Sequence, residues 1–230
     1  MRATCFWRSL GLLVAAGLLS VSHSRADDTG LDSLDPDENI QVVYAVYGGI
    51  IYDKTLSHFE NVTDKVSDLL KKSATGFPVA EKALTGKETN DWSKSLIVVY
   101  NYEQESHFCN IVEGDTVSLA KLKDWAKTNR KSKIGNAIPP PSGDDFHIDF
   151  AAYGCGDNFF NVTDLIKTFV HDQPDGFLPD IVNMGGDPHP SWDKVLVMIF
   201  DTPTGRYFYH IFLVGPKVTK AAILDAAKSN

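Results

Sequence analysis

The sequence has no surplus of basic charge: 22 lysines and arginines stand against 30 aspartates and glutamates, a formal charge of −8. That balance argues against a nucleic-acid or other polyanion binder working by bulk electrostatics. The first 26 residues hold Arg2, Arg8 and Arg25 and no acid, so the remainder alone carries about −11. There is also no apolar run of membrane-spanning length. Leu10–Leu19 falls short of the required ~20 residues, and Lys, Asp or Pro breaks every later stretch, so no stable membrane insertion is expected. Catalytic signatures are missing as well. Gly-x-Ser-x-Gly is absent, His58, His107, His147, His171, His189 and His210 are scattered, and neither Cys109 nor Cys155 lies in a catalytic motif. Neither EF-hand nor His-x-x-x-His spacing occurs, and no catalytic residue, metal or cofactor is expected. What is present is an ordinary globular composition, 43% hydrophobic and 23% charged over 230 residues, enough for one large domain or two small ones.

Residues 1–26 have the layout of a secretory signal peptide. Arg2 and Arg8 precede the apolar run, which closes on Ser24-Arg25-Ala26, a small-x-small cleavage pattern. Cleavage near Ala26 would give a secreted or periplasmic chain beginning at Asp27. Cys5 stands ahead of the apolar run, which argues against a lipid anchor. Residues 27–40 are acidic, lack periodicity and read as a disordered, solvated tail.

The most informative feature is an internal repeat. Shifting the chain by 100 residues places Asn61-Val62-Thr63-Asp64 on Asn161-Val162-Thr163-Asp164. The same shift places Gly76-Phe77 on Gly176-Phe177, Gly86 on Gly186, Trp92 on Trp192, and Lys94, Leu96, Phe108 and Ile111 on Lys194, Leu196, Phe208 and Ile211. Twelve identities over 61–112 compare with about three expected from composition. Upstream, Ala45-Val46-Tyr47-Gly48 meets Ala151-Ala152-Tyr153-Gly154 at an offset of 106, so the first copy carries six extra residues before Asn61. A surface loop accommodates such an insertion at low entropic cost.

The copies set the expected organisation: repeat domain 1 over 41–127, a basic and Pro-rich linker over 128–145, and repeat domain 2 over 146–230. Gln41–Tyr47 and His147–Tyr153 read as strands ending at Gly48 and Gly154. Thr63 and Thr163 are placed to cap helices over 64–71 and 164–170. Leu96–Tyr100 and Val195–Phe200 are continuous apolar runs, as expected of strands buried on both faces. Pro203-Thr204-Gly205 turns the second run into a hairpin with Tyr207–Val214. Residues 116–127 and 218–228 return to helical spacing. The expected fold class is mainly β to α+β, as two tandem homologous, sandwich-like sheet domains with one or two short helices each.

These residues also carry a family resemblance. In order they are Ala45, Tyr47 and Gly48, then Val62, Thr63 and Asp64, then Lys94, Leu96, Val98 and Tyr100, then His107 and Glu113-Gly114-Asp115. The pattern resembles the C-terminal domain of the DnaJ subfamily C member eleven co-chaperones. The second copy is similar but has Leu213-Val214-Gly215 where the first has Glu113-Gly114. The resemblance implies no reaction, and with no His-Pro-Asp on a helical hairpin it does not extend to stimulation of Hsp70.

Candidate binding residues are read from the two copies themselves. Trp92 and Trp192 precede the apolar strands, where an aromatic either plugs the end of a sheet or stacks on a ligand. Gly185-Gly186-Asp187-Pro188-His189-Pro190 brings Asp187 and His189 together with Asp193 beyond. Gly-Gly and Asp-Pro are turn dipeptides, and the first copy has Lys87 and Thr89 instead, so a turn is expected there rather than a metal site. Tyr207 and Tyr209 alternate on one strand and would form an adhesive face if exposed. Asn61 and Asn161 lie in N-glycosylation acceptor patterns whose recurrence points first to a structural role. Cys109 and Cys155, the pair left after signal removal, could bridge the repeats or stay free. A bridge closing about 45 residues would stabilise by about 4 kcal/mol in the chain-entropy model.

The functional expectation is an exported, non-catalytic binding protein whose two units recognise a protein or a glycan. The alternative is an extracytoplasmic hydrolase or metal-dependent enzyme with a site between the repeats. Asp157, Asp187, His189 and Asp193, absent from the first copy, separate the two readings according to whether they converge on one pocket.

Overall fold

The computed structural model describes residues 40–51, 56–89, 91–143, 145–212 and 217–229, so the segments expected as a signal peptide (1–26) and, but for residue 40, as an acidic tail lie outside the described residues. The chain is mainly β with short helices. In order, its elements are β1 Gln41–Ile51, β2 Leu56–Asn61, α1 Thr63–Lys72, β3 Phe77–Pro78, α2 Glu81–Thr85, β4 Asp91–Tyr102, β5 Glu105–Val112, β6 Thr116–Val117 and α3 Leu119–Thr128. There follow β7 Lys133–Asn136, β8 His147–Cys155, β9 Asn158–Asn161, α4 Thr163–Asp172, β10 Val195–Thr202, β11 Gly205–Phe212 and α5 Lys220–Ala226.

Two antiparallel sheets, β2-β1-β4-β5-β7 and β9-β8-β10-β11, repeat one strand order. The period-2 alternation of a strand shows why the apolar runs are unbroken. Along β4, Leu96, Val98 and Tyr100 turn toward Val66 and Leu70 of α1, Leu84 of α2 and Leu122 of α3. Ile97 and Val99 turn the other way, into a second core shared with Val195, Val197 and Ile199 of β10 and Phe150 and Ala152 of β8. On the far side Leu196, Met198 and Phe200 meet Ile166 of α4 and Ile223 of α5. The result is four layers: helices, sheet, sheet, helices.

This layering revises the expected domain plan. Each half supplies one large sheet with two apolar faces, and its helices cover only one of them, so the sandwich forms between the halves rather than within each. The described residues make one compact unit. The segment expected as a spacer is built in: β7 pairs with β5, Ile138 enters the inter-sheet core, and Asn101 holds the Ile138 backbone through its Nδ2 (2.7 Å to O) and Oδ1 (2.9 Å from N).

Gly48 and Gly154 do not end their strands, which run on to Ile51 and Cys155. Glycine is required there because a Cβ would lie 1.9 Å from the His58 carbonyl oxygen and 2.0 Å from that of Asn158, respectively. The recurring Asn-x-Thr unit joins the helix start to the sheet. Asn61 Oδ1 accepts from Thr63 N–H (3.0 Å) and hydroxyl (2.7 Å), and Thr63 Oγ1 accepts from Ala45 N–H (2.9 Å). Asn161, Thr163 and Ala151 repeat these bonds at 3.0, 2.6 and 3.0 Å. The threonines therefore clamp the strand instead of capping the helix, whose N-cap positions are Val62 and Val162.

The final helices are shorter than their periodicity suggests. Val117 and Val218 instead make β-bridges to the equivalent Phe77 and Phe177.

Candidate functional site

The two halves meet at one end of the sandwich through equivalent residues. Trp92 lies at the start of β4, opposite Ile50, because the longer first hairpin extends β1 and β4. Trp192 lies in the bend before β10. Their rings are 5.1 Å apart and tilted at 47°, and His189 packs on Trp192 at 4.4 Å. Beneath them Ile50, Cys155 and Phe212 are buried, with Trp92 half-buried against them, while Trp192 keeps 40% of its surface exposed. Trp92 thus plugs the sheet end and Trp192 lies over it with surface open to solvent.

Asp187 accepts from the His189 N–H (3.0 Å) and pairs with Lys194 (2.6 Å), whose hydrogen bond holds the Asp187 carboxyl below the usual carboxylate range. The first half solves the same problem differently. Lys94 pairs with Glu81 of α2 at 2.6 Å, and Glu81 also accepts from the Thr89 N–H (2.8 Å) and hydroxyl (2.6 Å). Burial opposes ionisation of Glu81, but the hydrogen bonds from Lys94 and Thr89 outweigh it and lower its pKa. The Lys194 side chain is buried and that of Lys94 only 9% exposed, so the recurring Lys is an anchor for the strand entry and its counter-ion has moved from helix to turn.

The structure therefore gathers Trp92, Trp192, Asp187 and His189 from the sequence candidates, but leaves out Tyr207 and Tyr209. These tyrosines are half-buried against the helix-side core of the second half, and Tyr207 donates to the Thr204 carbonyl (3.3 Å). They form no free adhesive face. Cys109 and Cys155 are free, buried thiols in different clusters, the first under the helices of its own sheet and the second beneath Trp92, so the bridge entertained from the sequence is not formed. Burial pushes the Cys109 thiol up to about 12 and that of Cys155 up to about 11, which keeps both from acting as thiolate nucleophiles at neutral pH.

A second polar constellation, not singled out from the sequence, lies at the opposite end of β8. His147 Nε2 is 2.8 Å from Asp149 Oδ1 and 3.5 Å from Asp201 Oδ2. Arg206 Nε donates to Asp149 Oδ2 (2.8 Å), its Nη2 donates to Asp201 Oδ2 (3.1 Å), and Nη2 also reaches the Pro139 carbonyl at 2.6 Å. A bulge places Asp149 there, since the β8–β10 register passes from Phe150↔Ile199 to Ile148↔Phe200 and leaves Asp149 without an opposite residue. The sequence signal was the His-x-Asp alternation on one strand and the cross-turn pair Asp201/Arg206, legible only once the hairpin register is known.

No family model, curated protein or solved structure matches the chain.

Proposed function

We propose that the protein is an exported, non-catalytic binding module that takes a glycan or protein ligand on the aromatic platform of Trp192, Trp92 and His189. The observation that carries this reading is the half-exposed Trp192, held in place by its contacts with the rings of Trp92 and His189. An indole so fixed offers a flat apolar surface with little side-chain entropy left to lose, and stacking on it favours the apolar face of a sugar ring or an aromatic side chain. The chemistry nearby supports binding rather than turnover. Lys194 is neutralised by Asp187, and the Cys155 thiol is protonated. Among the described residues no helix is long and apolar enough to cross a membrane.

The test is intrinsic tryptophan fluorescence of the purified protein across a panel of oligosaccharides, with pull-down from the native extracellular fraction alongside. Wild type should bind a ligand that Trp192→Ala loses at least tenfold while its unfolding midpoint stays within error. Equal binding by Trp192→Ala, or no ligand in either assay, would refute the proposal.

A further inference from the structure

We propose that His147, Asp149 and Asp201 form a binding site for a first-row divalent cation of the zinc type, with Arg206 holding the two carboxylates in position. Their ligand atoms lie within 4.8 Å of one another. Around a zinc ion with bonds of about 2.1 Å, neighbouring ligand atoms stand about 3.0 to 3.5 Å apart, and the separations of 2.8 and 3.5 Å from His147 Nε2 need little adjustment. One imidazole and two carboxylates suit zinc or manganese better than calcium, which takes six or more oxygens.

The charge balance leaves a place for such an ion. Asp149 and Asp201 are 6% and 2% exposed, and the one guanidinium between them balances a single carboxylate, so with His147 neutral a second positive charge is wanting. The Nε–H of Arg206 goes to Asp149, so Asp201 Oδ1, although 2.8 Å from that nitrogen, is buried without a hydrogen bond. Two buried carboxylates that share one guanidinium are costly unless a second cation or a proton joins them. Arg206 does not block the position. It grips the carboxylates from the side of Pro139, leaving Asp149 Oδ1 facing His147, and the oxygen that it shares with His147 on Asp201 has two lone pairs.

Two further observations separate this set from scaffolding. In the first half, the same registers put Gln41 opposite Asn101 and Asn101 opposite Ser106, and the same bulge skips Val43. The fold thus builds this corner with neutral groups in one copy and with His147, Asp149, Asp201 and Arg206 in the other. In addition, His147 is half-exposed and lines a cleft of about 650 Å³ with Gly143, Asp145, Phe146 and Pro203, giving an ion an entry path and room for the water ligands that three protein ligands leave open.

The purified protein, stripped with chelator, is titrated with Zn²⁺ by calorimetry and with Co²⁺ by visible absorption. One equivalent should bind, with cobalt d–d bands that zinc abolishes. His147→Ala should weaken binding at least tenfold while the Arg206–carboxylate pairs keep the fold intact, and Asp201→Asn should weaken it as well. His171→Ala, which removes an exposed histidine beside Asp172, should change nothing. Absence of a stoichiometric site, or a His147→Ala titration equal to wild type, would show that a proton on this cluster and not a metal meets the charge.

Discussion

Replacing Lys94 by Met is the sharpest probe of the strand-entry anchor, because the two halves offer a comparison inside one molecule. The substitution conserves the stem and removes the ammonium, leaving Glu81, 7% exposed, with only the Thr89 donors. Breaking a buried ion pair by deleting one partner costs about 3 to 5 kcal/mol, because the orphaned charge stays desolvated. For a cooperative unit of this size that lowers the melting temperature by about 10 °C. Lys194→Met should cost markedly less, since Asp187 is 32% exposed and can turn to water. The double variant Lys94→Met/Glu81→Gln should recover most of the loss, as the amide oxygen still accepts from Thr89. Urea unfolding followed by far-UV circular dichroism measures all of these. A cost below about 1 kcal/mol for Lys94→Met, or no recovery in the double variant, would refute the reasoning. The sign with pH follows from the lowered Glu81 pKa: its contribution is present above the ordinary glutamate range of about 4.3 and is lost as the pH falls through the folded value.

Gly154→Ala should drop the urea midpoint sharply, by about 3 kcal/mol or more, because the added methyl meets backbone 2.0 Å away. Gly156→Ala, at φ +55° with open space, should cost only about 1 kcal/mol, and equal losses at the two sites would disprove the β8–β9 register. His107, buried against Tyr100, has a pKa lowered by desolvation, so its neutral form stabilises above the free value of about 6.5 and the protein should lose stability as pH falls below that. His107→Gln should flatten the stability profile between pH 7 and 5, and an unchanged slope there would count against it. In a chain beginning at Asp27, which lacks Cys5, Cys109 and Cys155 should react with a thiol reagent only in denaturant, giving two equivalents without reductant; prompt reaction of the native protein, or none after unfolding, would contradict their buried, unbridged state.

The strands were legible because their signal is local. Val195–Phe200 and Leu96–Tyr100 have to be buried on both faces whatever surrounds them, and the repeat marked where each half begins. The partner of the second face was not legible. An apolar inner face such as Ile97 and Val99 states that it will be covered but not by what, and the sequence reading covered it within each copy. The glycines misled for a related reason: Gly48 in isolation reads as a turn, whereas the need for it arises from the neighbouring strand's carbonyl. At the site, Trp92 and Trp192 were found by recurrence. His147, Asp149, Asp201 and Arg206 were missed because the first copy holds Gln41, Val43, Asn101 and Ser106 in their places, so recurrence was blind to them.

The shared inter-sheet core bears on what would happen if the backbone were cut. Pro139–Gly143 is exposed, so a protease has access there, yet Ile138 stays seated between the sheets and Arg206 stays bonded to the Pro139 carbonyl. A nick after Pro140 should therefore yield two fragments that remain associated and co-elute, as in fragment complementation. Expressed separately, each fragment would present a bare apolar sheet shaped to receive a near-copy of itself. Equivalent residues already touch at Trp92 and Trp192, as across an isologous dimer axis, so a lone half should self-associate in the manner of a homodimer.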